Sequence, residues 1–145
     1  MSENNNKLQI RCFEITDTDK VISIWKECQL TREWNNPLLD IQRKVNFQKD
    51  LFFVGEIDNS IIATAMFGYD GHRGWLNYFA VMPKFQNRGY GKQLLLYGED
   101  KLLKLGCPKI NLQIRDDNLD AINFYAITNY NKDKCVSYGK RLIED

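Results

Sequence analysis

Between Tyr78 and Gly98 the sequence changes from a strand-like to a helix-like pattern across a short loop, and this switch constrains the fold more than any other feature. Tyr78-Phe79-Ala80-Val81 reads as a buried strand, and Pro83 closes it. Leu94, Leu95, Gly98, Leu102 and Leu105 then recur at helical spacing, predicting a helix over about 89–105 with those residues on its buried side. A helix that starts just after a strand presents unpaired N–H groups and a partial positive charge at the sheet's end, which suits phosphate. Gly89 and Gly91 would let a ligand reach the backbone there. From Met82 to Gly98 the chain carries Lys84, Arg88 and Lys92 and no carboxylate, so this segment favours a polyanion.

Two common phosphate loops fail on the residues. A Walker loop needs Ser or Thr after Gly91-Lys92, where Gln93 stands, and Gly at position 86, which is Gln86. The dinucleotide fingerprint needs a third glycine where Leu94 stands. Bulk charge narrows the partners too. Twenty basic and 19 acidic side chains leave a net charge of +1, without the excess of a general nucleic-acid binder. No apolar run approaches the roughly 18 residues needed to span a bilayer. The polar segment Met1–Lys7 resembles a frayed, disordered tail rather than a signal peptide, and a cytoplasmic protein is expected. Cys12, Cys28, Cys107 and Cys135 are scattered and His72 is the only histidine, so no metal site is expected. Each cysteine has apolar neighbours in sequence and is expected to act as a small hydrophobe.

The remaining elements point to one α/β domain over residues 8–145. Leu8–Phe13 reads as a strand, and Thr16 with Asp19 as a capping box opening a helix with Val21, Ile24, Trp25 and Cys28 on one face. Asn36-Pro37 opens a second helix, with Leu38, Ile41, Val45 and Phe47 on its apolar side. Leu51–Ile57 and Ile61–Phe67 form a hairpin, and Trp75–Val81 adds a third antiparallel strand. Ile110, Leu112 and Ile114 alternate with polar residues as in a half-buried strand. A short helix over 118–128 turns Ile122, Phe124 and Tyr125 inward. Lys134–Ser137 and Tyr138–Ile143 are expected to close the sheet as two further strands. The resulting architecture is a mixed, mostly antiparallel sheet of six to seven strands with about four helices.

Gln86-Asn87-Arg88-Gly89-Tyr90-Gly91 matches Gln/Arg-x-x-Gly-x-Gly/Ala, and with the preceding strand and Pro83 it resembles the acetyl-CoA loop of the GNAT acetyltransferase superfamily. Asn118, Ala121, Phe124 and Tyr125 resemble that family's Asn-x-x-Ala-x-x-Phe-Tyr helix, although Asn129 replaces the usual glycine before Tyr130. Trp25, Cys28, Trp34-Asn35, Pro37, Asp40-Ile41, Arg43-Lys44, the run Gly68–Gly74 and Gly139–Glu144 are similar to the small bacterial YpeA-type members.

The resemblance implies an N-acetyltransferase with acetyl-CoA as co-substrate and an amine-bearing small molecule, peptide or protein as acceptor. It leaves open a homodimer through sheet edges or C-terminal strands, and a non-catalytic acyl-CoA-binding domain as the alternative. It places the phosphates on Gln86, Asn87, Arg88, Gly89, Tyr90, Gly91 and Lys92, with Asn118 beside the cofactor, and the thioester arm on the N–H groups of Phe79 and Val81. Tyr125 takes the general-acid position. Trp34 and Glu33 fall where the acceptor wall is built. Many relatives carry a glutamate base on the strand that here offers only Asn77. Glu33, Asp70, His72, Asp116, Asp117 or a water relay remain for that role.

Overall fold

A computed structural model of the chain describes residues 7–145. The expected tail at 1–7 lies outside the described residues apart from Lys7. The described elements are β1 (Gln9–Cys12), α1 (Thr18–Glu27), α2 (Pro37–Val45), β2 (Phe52–Ile57), β3 (Ser60–Tyr69), β4 (Gly74–Val81), α3 (Tyr90–Lys104), β5 (Ile110–Leu112) and α4 (Leu119–Ile127), with single 3-10 turns before α1, β2 and α3. One five-stranded sheet runs β1-β2-β3-β4-β5, with the first four strands antiparallel and β5 parallel to β4.

Each face of the sheet has its own core. Phe53, Phe67, Leu94, Leu95 and Leu102 pack beneath α3, with Tyr125 of α4 joining them. Val21, Ile24, Trp25, Ile41, Phe52 and Val54 pack beneath α1 and α2. The helix starts follow from local chemistry. Asn36 accepts the N–H of Leu39 with Pro37 at the first helical position, and Asn118 accepts the N–H of Ala121. Before α1 the capping box is built by Glu14 and Asp17 rather than Thr16 and Asp19, because a 3-10 turn at Ile15–Asp17 precedes the helix.

The sheet is smaller than the sequence suggests: five strands, not six to seven. Residues 131–145 form no ladder among the described residues and are exposed along their length. Side-chain contacts hold the segment instead: Lys109 to Asp133 (2.9 Å), Gln113 to Ser137, Arg141 to Asn35 (2.6 Å) and Arg43 to Asp145 (2.7 Å). Gly139-Lys140-Arg141 interrupts the apolar alternation, and Val136, Tyr138, Leu142 and Ile143 are left exposed. A stretch with so little surface to bury does not offset the entropy of ordering a strand. The outer edge of β5 is accordingly unpaired and the strand is three residues long.

Smaller expectations also shift. Leu105, Ile122, Leu38 and Phe47 are exposed, each at the rim of its helix or just beyond its end. Cys12 and Cys135 are exposed, Cys28 is half-buried and only Cys107 is buried. Asn129 adopts φ +72°, the left-handed turn that glycine usually supplies.

The contact between α3 and the sheet is closest at Gly98, where a Cβ would stand 2.0 Å from Cε2 of the fully buried Phe67. Gly98→Ala is therefore expected to destabilise the fold by about 1–3 kcal/mol through overpacking, read as a lower urea midpoint at unchanged slope.

Candidate active site at the bulge of β4

Thr64 pairs with Ala80 and Met66 with Asn77, so Tyr78 and Phe79 of β4 together oppose Ala65 alone. The extra residue is a β-bulge, and it places Tyr78 at φ +49°, a strained conformation for a side-chain-bearing residue. Buried groups hold it there. The Trp25 Nε1–H donates to Thr64 Oγ1 at 2.9 Å, and Thr64 Oγ1 donates to the Tyr78 carbonyl at 2.9 Å. The Trp25 and Tyr78 rings stack with centroids 3.8 Å apart. Tyr78 Oη–H donates to Asp40 Oδ2 of α2 at 2.5 Å, and burial beside that carboxylate raises the phenol above its ordinary pKa.

The bulge separates the two sides of the site. Phe79 points toward α4, its ring 5.5 Å from Phe124 and 6.2 Å from Tyr125. Tyr125 is buried, stacks on Phe124 and meets Tyr130 edge-on. Burial raises its phenol well above the usual value, so it stays protonated at neutral pH. Tyr130 is anchored by its hydroxyl to Glu99 Oε2 at 2.7 Å.

Beyond Val81 the loop turns through Pro83–Phe85 into α3. Gln86 Nε2–H donates to the Val81 carbonyl at 2.8 Å, folding the loop back against the strand end. Asn87 and Gly89 have φ +63° and +85°. A Cβ at Gly89 would have nothing within 4 Å, so the helix N-terminus is open. Gln86, Asn87, Arg88, Gly89 and Lys92 are exposed, whereas the Tyr90 side chain is buried and leaves only its backbone to a ligand. A Cβ at Gly91 would stand 3.4 Å from Phe124, so this glycine serves helix packing as well. Lys84 and Arg88 flank the Phe85 ring at 5.4 and 5.6 Å.

On the other side, Trp34 and Glu33 are exposed at the rim, with the Arg115 guanidinium 5.1 Å from the Trp34 ring centroid. Arg115 lies just beyond β5, so this contact bridges the α1–α2 connection and the β5–α4 connection. Trp75, Tyr78, Lys44 and Tyr125 line one open cleft of about 2290 Å³ running from α2 across β4 and β5 to residues 131–137. Of the acid–base candidates read from sequence, Asp116 lines this cleft. Asp70 is committed to its turn, accepting the N–H groups of His72 (2.8 Å) and Arg73 (2.7 Å), which lower its pKa. His72 and Asp117 are exposed, and Asn118 rather than Asp116-Asp117 caps α4.

The sequence reading gave Asp40, Lys44 and Tyr78 no functional role of their own. A signal for Lys44 existed: it follows Ile41 by three positions and shares the buried stripe of α2. No sequence pattern marks Tyr78, whose orientation depends on the bulge.

Residues 11–129 match the model of the acetyltransferase (GNAT) family. An acetyltransferase of Pectobacterium atrosepticum is 45% identical over 138 residues, covering 95% of this chain and 98% of the relative. One from Sodalis glossinidius is 44% identical over 139 residues with the same coverage. Among solved structures, the aminoglycoside N-acetyltransferase AAC(6')-Iy in complex with CoA superposes with a TM-score of 0.76 at 18% identity, covering 99% of this chain and all of that one. A Pyrococcus horikoshii protein, PH1933, gives 0.75 at 21% identity, covering 90% and 93%. The superpositions speak for the fold, and the family model and close relatives for descent: the chain belongs to the GNAT family of acetyltransferases.

Proposed function

We propose that the chain transfers the acetyl group of acetyl-CoA directly to a primary amine of a small molecule or peptide within a ternary complex. The observation that carries this reading is the β4 bulge, which sets Phe79 and Tyr125 beside the open N-terminus of α3.

The residues at that helix end fit the cofactor. The space over Gly89 is free, the loop's cations are exposed, and no carboxylate intervenes between Met82 and Gly98. Gln86, Asn87, Arg88, Gly89, Gly91, Lys92 and the Tyr90 backbone would hold the phosphates. The amide Nδ2 of Asn118 is left to donate, since its Oδ1 is used by the cap. Acetyl-CoA brings an acetyl group activated as a thioester. Backbone N–H groups of Phe79 and Val81 would hold the pantetheine arm and thioester. A donor aimed at the carbonyl oxygen is worth about 2.7–4 kcal/mol in acyl transfer.

Tyr125 is the hydrogen-bond donor that faces the departing sulfur. Even an ordinary tyrosine near 10 is a weaker acid than a thiol near 8.5, by about 2 kcal/mol, and burial of Tyr125 makes complete transfer more uphill still. Tyr125 therefore acts by hydrogen-bonding the sulfur as charge builds. On the acceptor side, Trp34 and Glu33 form the rim. The amine reaches the thioester across the β4–β5 edge, on the α2 side of the bulge, and water or Asp116 removes its proton. The reading extends to this chain what the AAC(6')-Iy complex holds, CoA.

Acetyl-CoA at a hundredfold excess over its Kd is expected to add about 2.7 kcal/mol of stability, a rise in Tm of about 5–10 °C. Adenosine 3′,5′-bisphosphate serves as the control for phosphate binding alone. No shift at millimolar acetyl-CoA would remove the cofactor site. Tyr125→Phe is expected to lower kcat by about 10²-fold or more while leaving the Kd for acetyl-CoA within about threefold. Equal losses in both would place Tyr125 in packing rather than in stabilising the departing sulfur.

A further inference from the structure

Among the described residues Lys44 is the one lysine that the fold buries, at 9% exposure, and its Nζ has no hydrogen bond or ion pair there while keeping contact with the cleft that Lys44 lines. A cation on a mostly buried stem, partly desolvated and without a protein partner, is open to an anion that reaches it through the cleft. The Nζ lies over Gly68 of β3, where a Cβ would stand 3.5 Å from it. Gly68 pairs with Trp75 of β4, and Trp75 pairs with Asn111 of β5. These positions form one cross-strand row on the α2 face of the sheet. At the far end of that row, Asn111 lines the same cleft, and its Oδ1 is buried without a partner.

We propose that Lys44, Trp75 and Asn111 form an acceptor subsite that takes an anionic end group, a carboxylate or a phosphate, and so selects amines that carry one. The ammonium pairs with the anion, the Trp75 ring floors the cleft, and the Asn111 amide takes a polar group of the same molecule. Distance sets the acceptor's length. Trp75 lies three residues from the bulge at Tyr78, about 10 Å along the strand, which is too far for Lys44 to act on the reacting amine. It matches an extended acceptor with amine and anion at opposite ends, such as a tripeptide-sized molecule.

The other charged and titratable groups on the packed elements leave Lys44 free. Asp40 accepts from Tyr78 and Arg43, and Asp145 accepts from Arg43 and forms an ion pair with Arg141 at 3.6 Å. Tyr69 Oη is turned to the carbonyl of Gly71. Burial alone lowers the Lys44 pKa, to about 8. Lys44 is thus mostly protonated at pH 7 and loses its charge as pH rises through 8.

This subsite rests on the acetyltransferase reading, and binding separates the two. Triglycine and triglycinamide are titrated against the protein with and without saturating CoA, following Tm and heat, so that turnover is not needed. Triglycine is expected to bind at least tenfold more tightly than the amide, with affinity falling about tenfold per pH unit above 8. Lys44→Met should bring the two affinities together, and Lys44→Arg should restore part of the preference. Inorganic phosphate as competitor tells a general anion site from a carboxylate-specific one: displacement supports the shared anion chemistry. Equal binding of the two peptides, no binding of either, or a preference that survives Lys44→Met would each overturn the subsite. A CoA titration without a shift, beside an intact triglycine preference, would instead overturn the cofactor reading and leave the subsite standing.

Discussion

The geometry of the candidate site depends on one buried hydrogen-bond relay, from Trp25 Nε1 through Thr64 Oγ1 to the carbonyl of Tyr78. A bulge leaves a strand carbonyl without its ladder partner, and here that carbonyl lies against a core where an unpaired acceptor costs about 1–3 kcal/mol. Thr64, fully buried, satisfies it. The indole N–H in turn satisfies the hydroxyl, and its ring packs on the strained residue. Because the relay spans α1, β3 and β4, the bulge is held by the core itself rather than by surface loops. That matters for chemistry, since acyl-transfer donors work only if they need not reorganise when charge develops. Everything on the two faces takes its position from this point: Phe79 and Tyr125 on one, Tyr78 and Asp40 on the other.

The two faces use charge in opposite ways. At the helix N-terminus Lys84, Arg88 and Lys92 are exposed cations, able to attract a polyanion at long range and screened by salt. On the α2 face Lys44 is desolvated. Its folded pKa of about 8 is below the ordinary lysine value of 10.5, so the unfolded chain binds more protons between those values. Stability therefore rises with pH across that window, and at neutral pH the charged lysine is a burden on the fold. A mostly buried lysine whose ammonium is left unpaired on a cleft is the kind of stability cost that a binding function explains.

Much of the scaffold was legible because its elements are locally consistent. Asn36-Pro37, the hairpin around Asp58-Asn59 and the switch after Val81 each state their structure within a few residues. The same holds for the order of elements through α4. What failed was the C-terminal segment. Residues 134–143 have enough β-branched and aromatic residues to read as strands, yet whether they pair depends on burial that a local window does not contain. The candidate site divides in the same way. Gln86–Lys92 and Tyr125 were readable because they follow a motif, and the loop and α4 place them around Phe79 and the bulge. Lys44, Tyr78 and Asn111 were not singled out, because their proximity is a product of sheet register: positions 68, 75 and 111 become neighbours only once β3, β4 and β5 are aligned.

The unpaired edge of β5 and the open cleft follow from the same absence of closing strands. A strand laid along that edge would shorten the cleft and cover Asn111, whereas the segment as placed leaves the row open and is tied down at its far end to α2. Arg43, which holds Asp145 at 2.7 and 3.1 Å, also pairs with Asp40, and Asp40 receives the Tyr78 hydroxyl. The C-terminal residues and the bulge are thereby joined through two short links on α2. Neighbouring charges in such a network couple rather than add. A change at the end of the chain would consequently reach the Tyr78 side of the bulge through Arg43 and Asp40 before it reached the loop 86–92, which leads into α3 on the opposite face of the sheet.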